Sequence, residues 1–154
     1  MAFISVFDVL GPNMIGPSSS HTAGACVIAF LARKMLGNSP KKVEFILYGS
    51  FANTYKGHGT DRALLGGLMG FGTDDVRIRD SFNIANERGI EYKFTPDSEL
   101  TDIHPNTVDV CMEDESGNRV VVRGESLGGG KVRIVKIDRV DIDFSGEYSA
   151  IILV

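Results

Sequence analysis

The stretch Thr107-Val108-Asp109-Val110-Cys111-Met112-Glu113, then Asp114-Glu115-Ser116-Gly117-Asn118, then Arg119-Val120-Val121-Val122-Arg123 decides the fold. Two runs suited to strands flank a cluster of turn formers, the pattern of a β-hairpin. Similar runs follow at residues 131–137, 141–144 and 148–154, and another stands at 91–94, just before Pro96. Gly128-Gly129-Gly130 falls between strands and reads as a turn or bulge. No strand-to-helix setting surrounds it, so it is not a dinucleotide fingerprint.

Upstream of Ile90 the pattern changes. After a short apolar turn at residues 6–10 and a loop marked by glycine and proline at 11–17, a helix is predicted with Ala23, Val27, Phe30, Leu31 and Met35 on one face. Ser19 or Ser20 is placed to cap it, and Gly37 followed by Pro40 to stop it. Residues 43–48 read as a buried strand that Gly49-Ser50 ends. A loop over 55–61 leads to a second helix through Leu64, Leu65, Leu68 and Met69. Gly66 and Gly67 weaken that helix, so close packing against another backbone is expected there. Thr73-Asp74 opens a third helix carrying Ile78, Phe82 and Ala85, and Gly89 closes it. Helices early and antiparallel strands late predict an α+β fold, a mixed β-sheet with helices packed on one face.

The composition supports one domain over residues 1–154. Hydrophobic residues make up 43% and charged residues 23%, enough to bury a core and too apolar for wholesale disorder. Lys and Arg total 16 against 20 Asp and Glu, and no basic run stands out. Nucleic acid and anionic membrane are therefore poor partners. No stretch is long and apolar enough to span a bilayer, and Met1-Ala2-Phe3 lacks a basic leader, so a cytoplasmic protein is expected. Cys26 and Cys111 are far apart, lack ligand spacing and sit in apolar runs, which predicts buried thiols. The chain stops on the apolar run Ala150-Ile151-Ile152-Leu153-Val154, and a further domain beyond it is expected.

The chain has three histidines, His21, His58 and His104, and each falls at a loop marked by glycine or proline. Imidazole titrates near neutrality and can move protons at working pH, and loops on a rigid scaffold carry function. Ser18-Ser19-Ser20-His21-Thr22 gathers hydroxyls and amides at a helix start, which suits a carboxylate. Simple capping accounts for one of those serines. Gly57-His58-Gly59-Thr60-Asp61 lets a ligand approach the backbone closely, although a turn and cap would need the same residues. His104-Pro105-Asn106 presents an imidazole and a carboxamide around a rigid proline, and the carboxamide offers both donor and acceptor. The histidines are too scattered for a metal signature, so no metal site is expected. Lys56 reads as a surface residue rather than an anchor for pyridoxal phosphate. All three histidines are expected on one face of the domain.

Taken together, Ser5-Val6-Phe7-Asp8, Ile15-Gly16-Pro17-Ser18-Ser19-Ser20-His21-Thr22, Tyr48-Gly49-Ser50, Lys56-Gly57-His58-Gly59-Thr60-Asp61, His104-Pro105-Asn106 and Gly128-Gly129-Gly130 resemble the β chain or β domain of bacterial iron–sulfur-dependent L-serine dehydratases. The match runs in order along nearly the whole chain. The resemblance implies conversion of L-serine to pyruvate and ammonia with a [4Fe-4S] cluster in place of pyridoxal phosphate. It also implies that the α subunit or domain ligates the cluster, and that the working enzyme is an oligomer. The fold should then be similar to the allosteric substrate-binding domain of phosphoglycerate dehydrogenase, with an ACT domain following in two-chain members. His58 and His104 are the implied catalytic pair, His58 removing the α-proton and His104 holding substrate with Asn106. Ser18, Ser19, Ser20, His21 and Thr22 would line the same cleft and receive the carboxylate. The competing reading is a regulatory domain that binds a small carboxylate and catalyses nothing. A simple anion receptor would not require a histidine between two glycines.

Overall fold

The computed structural model describes residues 14–145. The motif at residues 5–8, the turn at 6–10, the first part of the loop at 11–17 and the strand expected at 148–154 lie outside the described residues.

The described residues form six strands: β1 (Pro40–Tyr48), β2 (Glu91–Asp97), β3 (Thr107–Asp114), β4 (Arg119–Gly128), β5 (Lys131–Ile137) and β6 (Val140–Phe144). They form one mixed sheet in the order β2-β1-β3-β4-β5-β6, with β1 and β2 parallel and the other neighbours antiparallel. Four helices accompany them: α1 (Gly24–Leu36), α2 (Gly49–Thr54), α3 (Thr60–Leu68) and α4 (Ser81–Glu87). A π turn over Ser19–Ala23 leads into α1, and a 3₁₀ turn over Val76–Asp80 leads into α4. The fold is α+β with its helices on one face, as the sequence predicts.

Strand alternation sorts the two faces. Val43, Phe45 and Leu47 of β1, Val108, Val110 and Met112 of β3, Val122 of β4 and Ile134 of β5 point to the helices. There they pack with Ile28, Ala29 and Ala32 of α1 and with Leu64, Leu65 and Leu68 of α3. The opposite face is polar. It carries the ion pairs Lys93–Glu44, Arg119–Glu113 and Arg133–Glu125. Its most enclosed pair is Asp109, 7% exposed, which accepts from Arg123 Nε at 2.7 Å, Arg123 Nη2 at 2.8 Å and the Tyr48 hydroxyl at 2.8 Å.

The cysteines divide between the faces. Cys26 is buried among the helices, its thiol donating to the Phe71 carbonyl and pushed up to about 12 by burial. Cys111 is half-buried on the polar face, pushed up to about 11 mainly by burial. The expectation of two buried thiols therefore holds in full only for Cys26.

Local chemistry explains most element boundaries. Gly37, with φ of 80°, ends α1 in the left-handed conformation that glycine adopts freely. In the turn between β3 and β4, Asp114 Oδ1 accepts the amides of Ser116 and Asn118. Its Oδ2 accepts from the Asn118 and Asn38 side chains. Those bonds, the Asn118 side chain first, hold the carboxyl below its ordinary pKa. Gly128, Gly129 and Gly130 all have positive φ and form the β4–β5 turn. Gly67 meets the expectation of close approach, since an added Cβ would lie 2.1 Å from the Cys26 carbonyl oxygen of α1.

Gly49-Ser50 ends β1 as expected and also starts α2, which at six residues is too short to show a hydrophobic period. Two expectations are corrected. The third helix does not open at Thr73-Asp74. Asp75 takes the Arg77 amide at 3.0 Å, and a 3₁₀ turn intervenes before α4. β2 also runs through Pro96, which is tolerated because β2 is an edge strand among the described residues.

Candidate active site

β1 ends at the helix-side loops that carry the histidines. Gly49 turns the chain into α2 with φ of 53°, and an added Cβ would lie 2.5 Å from the Pro105 carbonyl oxygen. Only glycine lets the loop before β3 lie this close to the start of α2. The Ser50 amide donates to that same carbonyl at 2.7 Å.

Ser50 also reaches the first histidine. Its Oγ lies 2.8 Å from His21 Nε2, while Ser20 Oγ lies 2.9 Å from His21 Nδ1. Ser18 Oγ stands 3.4 Å from Nδ1 and accepts the His21 amide at 3.2 Å. The imidazole is thus held at both nitrogens by hydroxyls. Burial, and then the nearby His58, hold its pKa below the ordinary histidine value, which favours the neutral ring.

The His58 ring centroid is 5.0 Å from that of His21. His58 is exposed and sits in the turn between α2 and α3. Its amide donates to the Thr54 carbonyl at 3.1 Å. Its own carbonyl accepts the Thr22 hydroxyl at 3.1 Å, tying this turn to the serine loop. Gly59, with φ of 71°, then lets α3 begin at Thr60.

His104 Nδ1 accepts the Asn106 amide at 3.1 Å, and its carbonyl accepts the Thr107 hydroxyl at 2.6 Å. The Asn106 carboxamide donates to the Ser126 carbonyl at 3.3 Å, and the Ser126 amide donates to the Asn106 carbonyl at 2.9 Å. Ser126 is fully buried, and its hydroxyl donates to the Ser20 carbonyl at 2.7 Å. It therefore pins the serine loop to the Asn106 loop. Gly24 leaves room for it, since an added Cβ would collide with Ser126 Oγ. Asn106 Oδ1 is buried with no hydrogen-bond partner among the described residues. An acceptor in that state favours any N–H or O–H that can reach it.

His21 and His58 thus meet directly, and His104 joins them through Pro105 and Ser50. Among the described residues the His104 ring touches neither of the other two. The three gather at one end of the sheet, beyond the last residue of β1 and before the first of β3. Within the serine loop, Ser18 provides the cap expected of Ser19 or Ser20. Ser18 and Ser20 orient His21, and Thr22 holds the His58 turn; Ser19 starts the π turn. Ser50 and Ser126 are the polar residues that sequence reasoning did not assign to the site. Ser50 lies in a quoted motif, whereas Ser126 carries no local signal.

Among the described residues no three histidine, cysteine or carboxylate side chains converge to hold a metal ion. The two thiols do not fit an iron–sulfur cluster, since they stand on opposite faces of the sheet and burial disfavours both thiolates. Among the described residues no helix is long and apolar enough to cross a membrane.

A family model described as "Serine dehydratase beta chain" matches residues 5–136. The "L-serine dehydratase, beta chain" of Peptoniphilus asaccharolyticus is 50% identical over 153 residues, covering 99% of this chain and 69% of its own length. The "Probable L-serine dehydratase, beta chain" of Bacillus subtilis (strain 168) is 46% identical over 154 residues, covering 100% of this chain and 69% of its own. An "L-serine dehydratase" of Streptomyces coelicolor is 32% identical over 166 residues, covering 91% of this chain and 36% of its own.

Proposed function

Because the chain belongs to the serine dehydratase beta chain family, we propose that it is the β part of an L-serine ammonia-lyase that yields pyruvate and ammonia. The observation that supports this most is the meeting of His21, His58 and the His104–Pro105–Asn106 loop around Ser50. The family's reaction removes the serine α-proton and expels hydroxide. A [4Fe-4S] cluster on the α partner would act as the Lewis acid for the departing hydroxyl. This chain's cysteines do not fit that cluster, so the steps assigned here belong to its own residues alone.

His58 is the proposed base. It is the exposed imidazole of the group, and the flanking glycines leave its approach open. His21 is the adjoining imidazole, and burial first and His58 second favour its neutral ring. Asn106 Oδ1 is an unpartnered acceptor suited to the substrate ammonium, with His104 beside it on the same short loop. The serine loop receives the carboxylate at the start of the π turn and α1. The aminoacrylate so formed tautomerises to an imine, which water hydrolyses without further catalysis.

The kinetic test is made in the assembled enzyme. His58→Ala is expected to lower kcat on the order of 10²–10⁴-fold while leaving serine affinity largely intact. His104→Ala and Asn106→Ala are expected to raise KM as well. Label exchange at the α-carbon of unreacted serine, where abstraction is reversible, should be lost in His58→Ala. Near-normal turnover in the His58 variant, with His104→Ala inactive at unchanged KM, would transfer the base to His104.

A further inference from the structure

At the other end of the sheet, where β1 begins and β3 ends, lies a cavity of about 460 Å³. Its charged lining comprises Arg33, Lys41, Arg88, Asp114 and Glu115. The three cations make no ion pair among the described residues. Two of them lie against consecutive backbone positions, Met69 and Gly70. Arg88 Nη1 donates to the Met69 carbonyl at 3.3 Å, and its guanidinium lies 5.3 Å from the centre of the Phe71 ring. Arg33 Nη1 lies against Gly70, 2.3 Å from where a Cβ would stand, so a side chain there would displace it. Lys41 Nζ reaches to 3.5 Å from the Cβ position of Gly89, the residue after Arg88.

The two acids leave this charge available. Asp114 already accepts from Asn38, Asn118 and the amides of Ser116 and Asn118, as described above. Glu115 is exposed on the turn. Guanidinium forks match the oxygens of phosphate and carboxylate, and a lysine adds a mobile point charge. The volume suits a small organic or inorganic anion.

We infer that this cavity is a binding site for a small oxyanion of two or more negative charges, held by Arg33, Arg88 and Lys41. It lies the length of β1 away from the histidines, roughly 25–30 Å for nine residues of strand. It is therefore separate from the proposed serine site and does not depend on that assignment.

Inorganic phosphate and succinate are the two probes, each titrated calorimetrically into the full chain at constant ionic strength held with chloride. Saturable binding of either is expected, the stronger one identifying phosphate or dicarboxylate chemistry. Arg33→Gln, Arg88→Gln and Lys41→Gln should each weaken it at least about tenfold, the scale of one lost charge-assisted hydrogen bond. His104→Ala should leave it unchanged. Amide shifts of the unmutated chain give a readout independent of whether variants fold. Movement at Ser39, Gly70 and Arg88 supports the site. Absence of saturable binding by both anions overturns it, as does binding that shifts Ser18–Thr22 instead and survives the arginine substitutions.

Discussion

His21 is the best-fixed side chain of the candidate site, and its environment makes a prediction at the scale of one residue. Its pKa is depressed by burial first and by His58 second. A histidine whose folded pKa lies below its unfolded value of about 6.5 gives full stability above 6.5. That stability falls as pH drops, because the unfolded chain takes the proton first, and the loss is complete below the depressed folded value. Denaturant midpoints between pH 7.5 and 5 should therefore decline in the parent chain and decline less in His21→Gln. An equal decline in both would detach the effect from His21. The three histidines were legible as site candidates because each falls at a loop marked by glycine or proline, a purely local signal. Their hydroxyl partners were not. Ser50 lies 29 positions from His21, and Ser126 lies 106 from Ser20.

Among the elements, the contact between α1 and α3 is the closest test of packing. Gly67 has no side chain where the Cys26 backbone passes, and backbone moves less readily than a flexible side chain. Gly67→Ala is expected to destabilise the fold by about 1–3 kcal/mol despite the better helix propensity of alanine. For a chain of this size that lowers Tm by several degrees. Gly57→Ala is the control, since the nearest atom to its added Cβ is the Thr54 carbonyl oxygen at 3.9 Å. Its effect should stay within about 0.5 kcal/mol. If both substitutions behave alike, close approach is not what Gly67 provides. The hairpin strands and α1 were legible because they carry long periodic or branched runs. The short α2 and the 3₁₀ turn after Asp75 were not, because two turns or fewer leave no period to read.

For the whole molecule, the proposed division of labour places proton transfer in this chain and the cluster in its partner. Cys26 and Cys111, on opposite faces with thiolates disfavoured, offer no ligand set of their own. The chain alone is expected to be colourless and inactive. Mixed anaerobically with its α partner, it should give a brown complex that releases pyruvate from L-serine. Stoichiometric iron and sulfide bound to the isolated chain would end that division.

The sequence by itself determined the class of the fold, the identity of most strands, the turn at Gly128-Gly129-Gly130 and the three loops that carry the histidines. These follow from alternation, capping and the φ preferences of glycine and proline, all written within a few residues. Only the tertiary structure decided that β1 is the strand that pairs parallel to β2 and antiparallel to β3. That pairing brings Ser50 beside both His21 and Pro105 and puts Arg33, Lys41 and Arg88 around one cavity. Partners so far apart in the chain are selected by which apolar faces bury against each other, and no local preference along the chain encodes that choice.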